Sequence, residues 1–461
     1  MDEQYSEQQD ALDNVYELDA DTVEQVLAAV EGADRPRLTD LLEPFHAADI
    51  ADLLEQISRG ERHRFLSLWQ ADFDAEVLSE LSEGVREDVL EYLPDQIWAD
   101  AARELETDDV VDLIEDLEEP QKELVLDALE VADRVAVEAA LQYPEDSAGR
   151  LMQRELVLAP THWNVGQVID YLRTEKDLPD QFYHVVIVDP RMRPVGKVPL
   201  GSLMSSARNV VLTSIMEDDF RTINVLQSEE DVAYAFNQYH MVSAPVVDRN
   251  DRLVGVITID DAMVVQDEHA DEDIKRLAGL GDDESLTDRV VATTRQRFPW
   301  LAVNLVTSIL ASVVIAQFAS TIEAIVALAI MMPIVASMGG NAGTQSLTVA
   351  VRAMATKDLT GSNVWRVIRR EAFVGLANGV IFAVIIGFVG WAWFGLPMLG
   401  VVLALAMVAN MLVAGLAGIL IPIWLDKLGI DPALASGAFV TTVTDVVGFF
   451  AFLGLAAMLL L

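Results

Sequence analysis

Hydrophobic residues are distributed unevenly along this chain of 461 residues. In the last third they form long runs, and between Ala372 and Leu425 there is no Asp, Glu, Lys or Arg. A helix needs about 20 apolar residues to cross the hydrocarbon core of a bilayer. The pattern therefore predicts five membrane-spanning helices between residues 298 and 461, at Phe298–Phe318, Ile325–Val351, Ala372–Phe394, Met398–Leu425 and Ala433–Leu461.

Residues 1–143 show a different pattern, in which apolar residues recur at helical spacing among many acids. The segment Ala48–Glu55 reappears in similar form as Asp108–Glu115, with apolar residues at i, i+3 and i+4 in both copies. Repeated short amphipathic helices are typical of a small solenoid. We therefore predict an acidic α-helical solenoid domain, preceded by a frayed acidic lead of about 20 residues.

Residues 144–263 are rich in β-branched runs and contain two similar units, which predict an α/β pair. Val185–Asp189 followed by Val195–Val198 corresponds to Pro245–Asp248 followed by Val254–Thr258. Each unit predicts a strand, a helix, two further strands and a second helix. Residues 264–297 then read as an acidic connecting helix that leads to the first span.

The formal net charge is −43, and residues 298–461 carry equal numbers of acids and bases, so the imbalance lies in the first 297 residues. Such a surface disfavours nucleic acid as a partner and attracts cations. It is either a solubility surface or a set of carboxylate clusters for a divalent metal. The absence of cysteine excludes thiolate zinc sites and leaves hard cations with oxygen ligands.

Basic residues predict how the spans are oriented, because Lys and Arg favour cytoplasmic loops. The N-terminus lacks the basic segment of a signal peptide, so we expect it in the cytoplasm and the C-terminus outside. The bases lie before the first span, between the second and third, and between the fourth and fifth: Arg289, Arg295, Arg297, Arg352, Lys357, Arg366, Arg369, Arg370 and Lys427.

Asp445 is the only charged residue between Ala433 and Leu461. A carboxylate at that depth is costly, so it lines an aqueous path or serves as a structural hydrogen-bonding acid. Pro333 and the run Gly339–Ser346 in the second span suggest either carbonyls that line a cavity or tight helix packing. Five spans without an internal inverted repeat favour a two-fold homodimer around a shared pore.

Two motifs in the first half suggest ligand sites. Asp108 and Asp112 lie one helical turn apart, so their carboxylates either reach one ion or form a solvated face. The repeated α/β unit looks like a pair of CBS domains, which sense adenosyl nucleotides or ions. The motif Gly255–Asp261 fits their nucleotide site, in which Thr258 and Asp261 would hold a ribose; the alternative is a purely structural pair.

Nearly the whole chain resembles the MgtE family of magnesium channels and transporters. The most specific segments are Tyr143–Met152, Gly339–Gly343 and Asp431–Gly437, the last leading into Thr441–Gly448. The resemblance implies a homodimer with the pore on its axis. It also implies four pore positions for the metal: Asp445, Asn341, Thr441 and Gly448.

The resemblance further implies that cytoplasmic Mg²⁺ closes the pore by binding the soluble domains and the connecting helix, called the plug helix in the family. The sensor acids that carry over are Asp108, Asp112, Asp261, Glu272 and Asp273. Val264 and His269 stand where relatives carry acids, which leaves the number of sensor ions open. Some relatives bind ATP in the CBS pair.

The leading hypothesis is a multi-pass protein of the inner membrane that transports Mg²⁺ selectively and is gated by Mg²⁺. The alternative is a CBS-regulated transporter of another divalent cation, such as Co²⁺, Mn²⁺ or Ni²⁺. An anion route would need basic groups in the spans, which carry none at depth. An enzyme is disfavoured because the spans contain no histidine and only one deep acid. Channel and coupled transport remain open.

Overall fold

A computed structural model describes residues 18–115, 117, 119–175, 178–179, 181–281, 284 and 290–461. The predicted acidic lead, up to residue 17, and Arg289 lie outside the described residues. The chain divides into two compact units: one runs to Glu268, and the other begins at His269.

The first unit opens with short helices, as the periodicity predicts. Both copies of the repeated segment are helical, in α3 and α8, and their apolar positions belong to one continuous core. Ser58 and Glu61 form a capping box at the start of α4. Because breakers and caps keep each helix short, the core is built from many small faces. The helices are α1 Ala20–Glu31, α2 Arg35–Leu42, α3 Ala47–Gln56, α4 Arg59–Trp69, α5 Glu76–Ser79, α6 Glu83–Tyr92, α7 Asp95–Ala101, α8 Thr107–Glu115, α9 Glu119–Ala128 and α10 Val131–Ala140.

Two three-stranded sheets follow, and they confirm the predicted α/β pair. In each sheet the middle strand pairs parallel with the first strand and antiparallel with the third. All five residues of both middle strands are buried, which explains why all but the first residue of each strand is apolar. The elements are β1 Leu158–Pro160, α11 Val165–Thr174, β2 His184–Val188, β3 Pro194–Pro199, α12 Leu200–Ser205, β4 Ile223–Asn224, α13 Glu229–Tyr239, β5 Ser243–Val247 and β6 Leu253–Thr258.

The connecting helix and the membrane helices complete the chain. In the described residues, five helices are long and apolar enough to cross a membrane, which confirms the predicted number. A short helix, α16, follows the first span and was not predicted. The helices are α14 Ile259–Ala278, α15 Val290–Gln317, α16 Ala319–Ala324, α17 Ala327–Ala355, α18 Val364–Phe394, α19 Pro397–Lys427 and α20 Pro432–Leu459.

The third span begins earlier than its hydrophobic run suggested. Its helix starts at Val364, whereas the prediction began at Ala372. Charged residues mark the edge of the hydrocarbon, but they do not end a helix, because good helix formers such as Arg continue it into the aqueous layer. Glu371 therefore lies on the helix and is 9% exposed.

The fourth span is the most buried of the five, with 56% of its apolar window covered. Glycines let its neighbours approach closely. A side chain on Gly375 of the third span would lie 2.7 Å from the Met411 carbonyl, and one on Gly418 would lie 2.6 Å from the Gly343 carbonyl. The fourth span is thus the centre of the membrane unit, and its neighbours are placed by backbone contact.

Candidate functional site

Asp445 lies in the middle part of the fifth span and is half-buried. None of the described residues donates a hydrogen bond to its carboxylate. The preceding Thr444 is fully buried and bonds the Thr441 carbonyl at 3.0 Å. Because successive helix residues are about 100° apart, Asp445 points away from the side on which Thr444 is packed. The acid is therefore placed at the margin of the packed membrane unit.

The second span packs beside this part of the fifth. A side chain on Gly343 would lie 2.5 Å from Val440 Cγ1, and one on Gly340 would lie 4.0 Å from Thr441 Cγ2. These contacts bring the predicted pore residue Asn341 to the neighbourhood of Thr441. Both residues thus lie where the second and fifth spans meet.

One face of the second span is polar and exposed. It carries hydroxyl and amide side chains at intervals of three and four residues, which places them in one stripe. Asn341 belongs to this stripe, and its amide lies 3.5 Å from Ser337 Oγ. The stripe consists of Ser337, Asn341, Thr344 and Thr348.

The other two predicted pore positions, Thr441 and Gly448, have different surroundings. The Thr441 hydroxyl donates to the Gly437 carbonyl at 2.9 Å, within its own helix. Gly448 is buried against Asn410 of the fourth span, since an added Cβ would lie 2.9 Å from Asn410 Nδ2. Of the four residues, Asn341, Thr441 and Asp445 thus lie on the partly exposed side of the five membrane helices, and Gly448 faces their interior.

In the first unit, acids from the helical domain face acids from the CBS pair. Around them, Thr107 Oγ1 donates to Glu155 Oε1 at 2.7 Å, and Gln153 Nε2 donates to Glu106 Oε2 at 2.6 Å. The predicted sensor acids Asp108 and Asp261 both belong to this group. We call the group the acid interface; it consists of Glu106, Asp108, Asp109, Glu155, Asp260 and Asp261.

Burial and mutual repulsion raise the pKa values of acids in this group. Burial first, then the nearby carboxylates, raise the pKa of Glu106 and of Asp109 to about 7. Burial and the Asp261 carboxylate raise the pKa of Asp108 well above its usual range. Burial also raises the pKa of Asp261, although Thr258 donates to this carboxylate from Oγ1 at 2.7 Å. The interface therefore holds negative charge that its own residues do not balance.

Asp112, the second predicted acid of this helix, is directed elsewhere. It is exposed and pairs with Arg86 Nη1 at 2.5 Å, whereas Asp108 is only 8% exposed. Among the residues that the structure describes, no three acid or histidine side chains converge closely enough to enclose a metal ion. The oxygen donors suit a hard cation.

Glu272, one of the two predicted acids of the connecting helix, is paired with a base. Glu272 accepts from Arg276 Nη2 at 3.0 Å and lies 3.5 Å from His269 Nδ1. Asp273 is half-buried on the same helix. Arg276 also donates to Asp431 Oδ2 at 2.6 Å, and the other oxygen of Asp431 caps the fifth span at Ala433. The last turn of the connecting helix is thus tied to the start of the span that carries Asp445.

A crevice lies between the two CBS units. Equivalent positions of the two units face each other in it, since Ser243 Oγ lies 3.0 Å from His184 Nε2. Burial, and then the Lys197 charge, lower the pKa of His184 to about 4, so this ring is neutral at pH 7. The lining includes Tyr183 and Thr258, but Asp261 is not part of it. Because Thr258 donates to Asp261, the two predicted nucleotide ligands are direct neighbours, Thr258 lining the crevice and Asp261 belonging to the acid interface.

Sequence reasoning missed several residues of these sites. Glu106 and Asp109 flank Asp108 in the sequence, but nothing in the pattern showed that they face the CBS pair. Glu371 was placed in a loop, and the structure buries it where Ser346 Oγ donates to it at 3.1 Å. Asn410 is the single carboxamide in the apolar run of the fourth span, a signal that was visible in the sequence.

Comparisons with known proteins identify the family of the chain. The chain matches three family models: the MgtE divalent cation transporter at residues 332–455, the MgtE intracellular N domain at 45–146, and the CBS domain at 212–267. It is 32% identical over 441 residues to a magnesium transporter MgtE from Thermus thermophilus, covering 94% of this chain and 97% of the relative. The chain belongs to the MgtE family.

A second MgtE magnesium transporter, from Bacillus subtilis, is 29% identical over 417 residues, which are 90% of this chain and 92% of the relative. Among solved structures, the cytosolic domain of an Mg²⁺ channel MgtE in complex with ATP is 29% identical. It covers 53% of this chain and 99% of its own, with a TM-score of 0.49.

Membership of the MgtE family decides the class of the protein. It is a multi-pass membrane protein of a magnesium transporter family with a regulatory CBS pair, and it is not an enzyme. The predicted fold class, a helical N domain, a CBS pair and five apolar helices, is confirmed.

Proposed function

We propose that the chain forms a homodimeric Mg²⁺-selective pore, which cytoplasmic Mg²⁺ closes by binding the acid interface and the connecting helix. The observation that carries this proposal is the position of Asp445, a half-buried carboxylate inside a membrane span without a partner among the described residues. Leaving such a group against lipid is costly. It needs an aqueous path and a cation.

A second copy of the chain would cover the exposed polar face of the second span and complete the pore. The polar stripe of the second span is exposed in one protomer, and polar side chains facing lipid are disfavoured. A two-fold partner that covers this face turns the stripe inward, and it brings a second Asp445 to the axis. The outer apolar surface, which includes most of the first span, then faces lipid.

Two carboxylates, amides and hydroxyls suit Mg²⁺ chemically. Mg²⁺ prefers octahedral oxygen ligands at about 2.1 Å and releases its water slowly. A pore that offers two negative charges across an axis attracts the hydrated ion without removing its whole shell. Transition metals would favour imidazole or thiolate, and residues 298–461 contain neither His nor Cys.

Closure follows from the unbalanced charge of the acid interface. When Glu106, Asp108, Asp109 and Asp261 are ionised, they repel one another across the contact between helical domain and CBS pair. Mg²⁺ that binds only when these acids are together shifts the equilibrium toward the compact state. The tie between Arg276 and Asp431 connects this state to the fifth span. The compact state is therefore the closed one.

The crevice of the CBS pair is the place for a nucleotide such as ATP. Tyr183 offers an exposed ring for a base, and Thr258 offers a hydroxyl for a sugar. Asp261 belongs to the acid interface, so we assign it to metal binding rather than to nucleotide binding. We place the N-terminus in the cytoplasm and the C-terminus outside, because the basic loops lie on the side of the soluble domains.

The test is Mg²⁺ uptake into proteoliposomes by the variant Asp445→Asn. It retains the shape of the side chain and removes the charge, so we expect loss of Mg²⁺ uptake or of selectivity over Ca²⁺. The matched control is Asp426→Asn, which makes the same change at an exposed residue at the end of the fourth span. Wild-type uptake by the Asp445 variant would refute the pore. Faster uptake of Co²⁺, Mn²⁺ or Ni²⁺ than of Mg²⁺ by the unaltered protein would favour the alternative substrate.

A further inference from the structure

Asn410 lies near the middle of the fourth span and is completely buried. Its Nδ2 donates to the Val335 carbonyl of the second span at 2.8 Å. Its Oδ1 is buried as well and has no hydrogen-bond partner among the described residues. A buried amide that is only half satisfied is costly in a membrane interior. It therefore calls for a role that an apolar residue could not fill.

Two glycines enclose this amide from opposite helices. A side chain on Gly339 of the second span would overlap Asn410 Nδ2. One on Gly448 of the fifth span would lie 2.9 Å from Nδ2 and 3.1 Å from Oδ1. The hydrogen that each glycine carries in place of Cβ thus points at the carboxamide, and such Cα–H groups are weak donors to oxygen. The amide and both glycines form one fitted junction of three spans.

The junction lies close in sequence to candidate pore residues on both the second and the fifth span. Gly339 precedes Asn341 by two residues, and Gly448 follows Asp445 by three. The amide binds the Val335 carbonyl of the second span and lies against Gly448 of the fifth. Asn410 therefore sets the separation of the two spans that carry Asn341 and Asp445.

We infer that Asn410 is a positioning residue, which holds the second and fifth spans at the spacing that Mg²⁺ selectivity requires. This inference rests on the proposed function, since it assumes that Asn341 and Asp445 line the pore. It adds a residue that touches no ion and acts through the backbones of Gly339 and Gly448.

The experiment measures the ratio of Mg²⁺ to Ca²⁺ uptake into proteoliposomes for Asn410→Ala and Asn410→Ser, with melting temperature and dimer size recorded for each. Loss of one amide hydrogen bond predicts a roughly fivefold to tenfold fall in the ratio for the alanine variant. The serine variant, which retains a shorter donor, falls less. The control is Met407→Ala, a truncation at 1% exposure one turn earlier, which lowers the melting temperature and keeps the ratio.

A double-mutant cycle tests the fit directly. Gly448→Ala alone inserts a methyl group against the amide and lowers both uptake and the ratio. In Asn410→Ala/Gly448→Ala the amide is gone, so the second change adds little, and the effects are not additive. Additive losses, or a wild-type ratio in whichever Asn410 variant folds, overturn the inference. Asp445→Asn is measured in parallel. If it transports normally, the pore proposal fails, whereas the cycle in melting temperature still reports on the junction.

Discussion

On the proposed gating mechanism, the acid interface makes the closed state sensitive to pH when Mg²⁺ is absent. Glu106 and Asp109 have pKa values of about 7 in the contact, compared with ordinary values of 4.5 and 3.8 when the contact is open. A carboxyl whose pKa is raised binds its proton more tightly in the contact. The contact therefore gains stability as pH falls through about 7, and the gain is complete near the ordinary values.

The magnitude follows from these values. Between pH 8 and pH 6, a carboxyl with a pKa of about 7 in the contact contributes about 1.4 kcal/mol. Two such groups give an upper limit of about 2.8 kcal/mol, and water around the half-buried Glu106 reduces this to about 2 kcal/mol. That is roughly a thirtyfold shift in the ratio of compact to separated molecules.

The chain has no cysteine, so a pair of labels can be attached without background. Cysteines at the exposed positions Glu123 and Arg249 report the distance between helical domain and CBS pair in the full-length protein in nanodiscs. In Mg²⁺-free buffer we expect the compact fraction to rise between pH 8 and pH 6. Added Mg²⁺ should matter more at pH 8, because it replaces protons that are already lost.

The variant Glu106→Gln/Asp109→Asn should lose the share of the pH dependence that these two acids contribute, and it should be more compact than the unaltered protein at pH 8 without Mg²⁺. Its control, Asp95→Asn/Glu104→Gln, removes two exposed acids of the same domain and should titrate as the unaltered protein does. A distance that is independent of pH, or the same pH midpoint in both double variants, would refute the reasoning.

Two further predictions concern the membrane unit. Arg276→Gln should release the last turn of the connecting helix from Asp431. Loss of a partly exposed ion pair of about 1 kcal/mol corresponds to a roughly fivefold higher Mg²⁺ concentration for half-closure. Lys275→Gln is the control, and equal Mg²⁺ dependence of uptake in both variants would contradict this role. A reporter fused after Leu461 should be active only outside the cell, and one inserted near Lys357 only inside; the reverse pattern would disprove the proposed orientation.

The architecture could be predicted because each part follows from a local rule. Membrane spans are recognisable because a segment in hydrocarbon must pair its backbone groups in a helix and carry apolar side chains. Each span is therefore a long apolar run in the sequence. The CBS pair was visible because its two units repeat strand by strand. Asp445 stood out because one carboxylate in a long apolar run is costly. In all three cases the information lies within a short stretch of sequence.

The contacts between distant stretches could not be predicted. Periodicity showed that Asp108 and Asp112 lie on one helix, but it did not show that Asp112 meets Arg86 while Asp108 faces Asp261. The Asn410 junction combines three spans that are far apart in sequence. Each glycine taken alone reads as ordinary close packing. Only the fold shows that two of them enclose the same carboxamide.

The connecting helix carries an acid of the acid interface near its start and the base that binds Asp431 near its end. It is continuous from Ile259 to Ala278, a rod of about 30 Å. Asp261 lies in its first turn and Arg276 in its last. Within the second unit, Arg276 is bonded to Asp431 at the start of the fifth span. Under the proposed gating, the connecting helix is the covalent link between Asp261 and the part of the chain that carries Asp445.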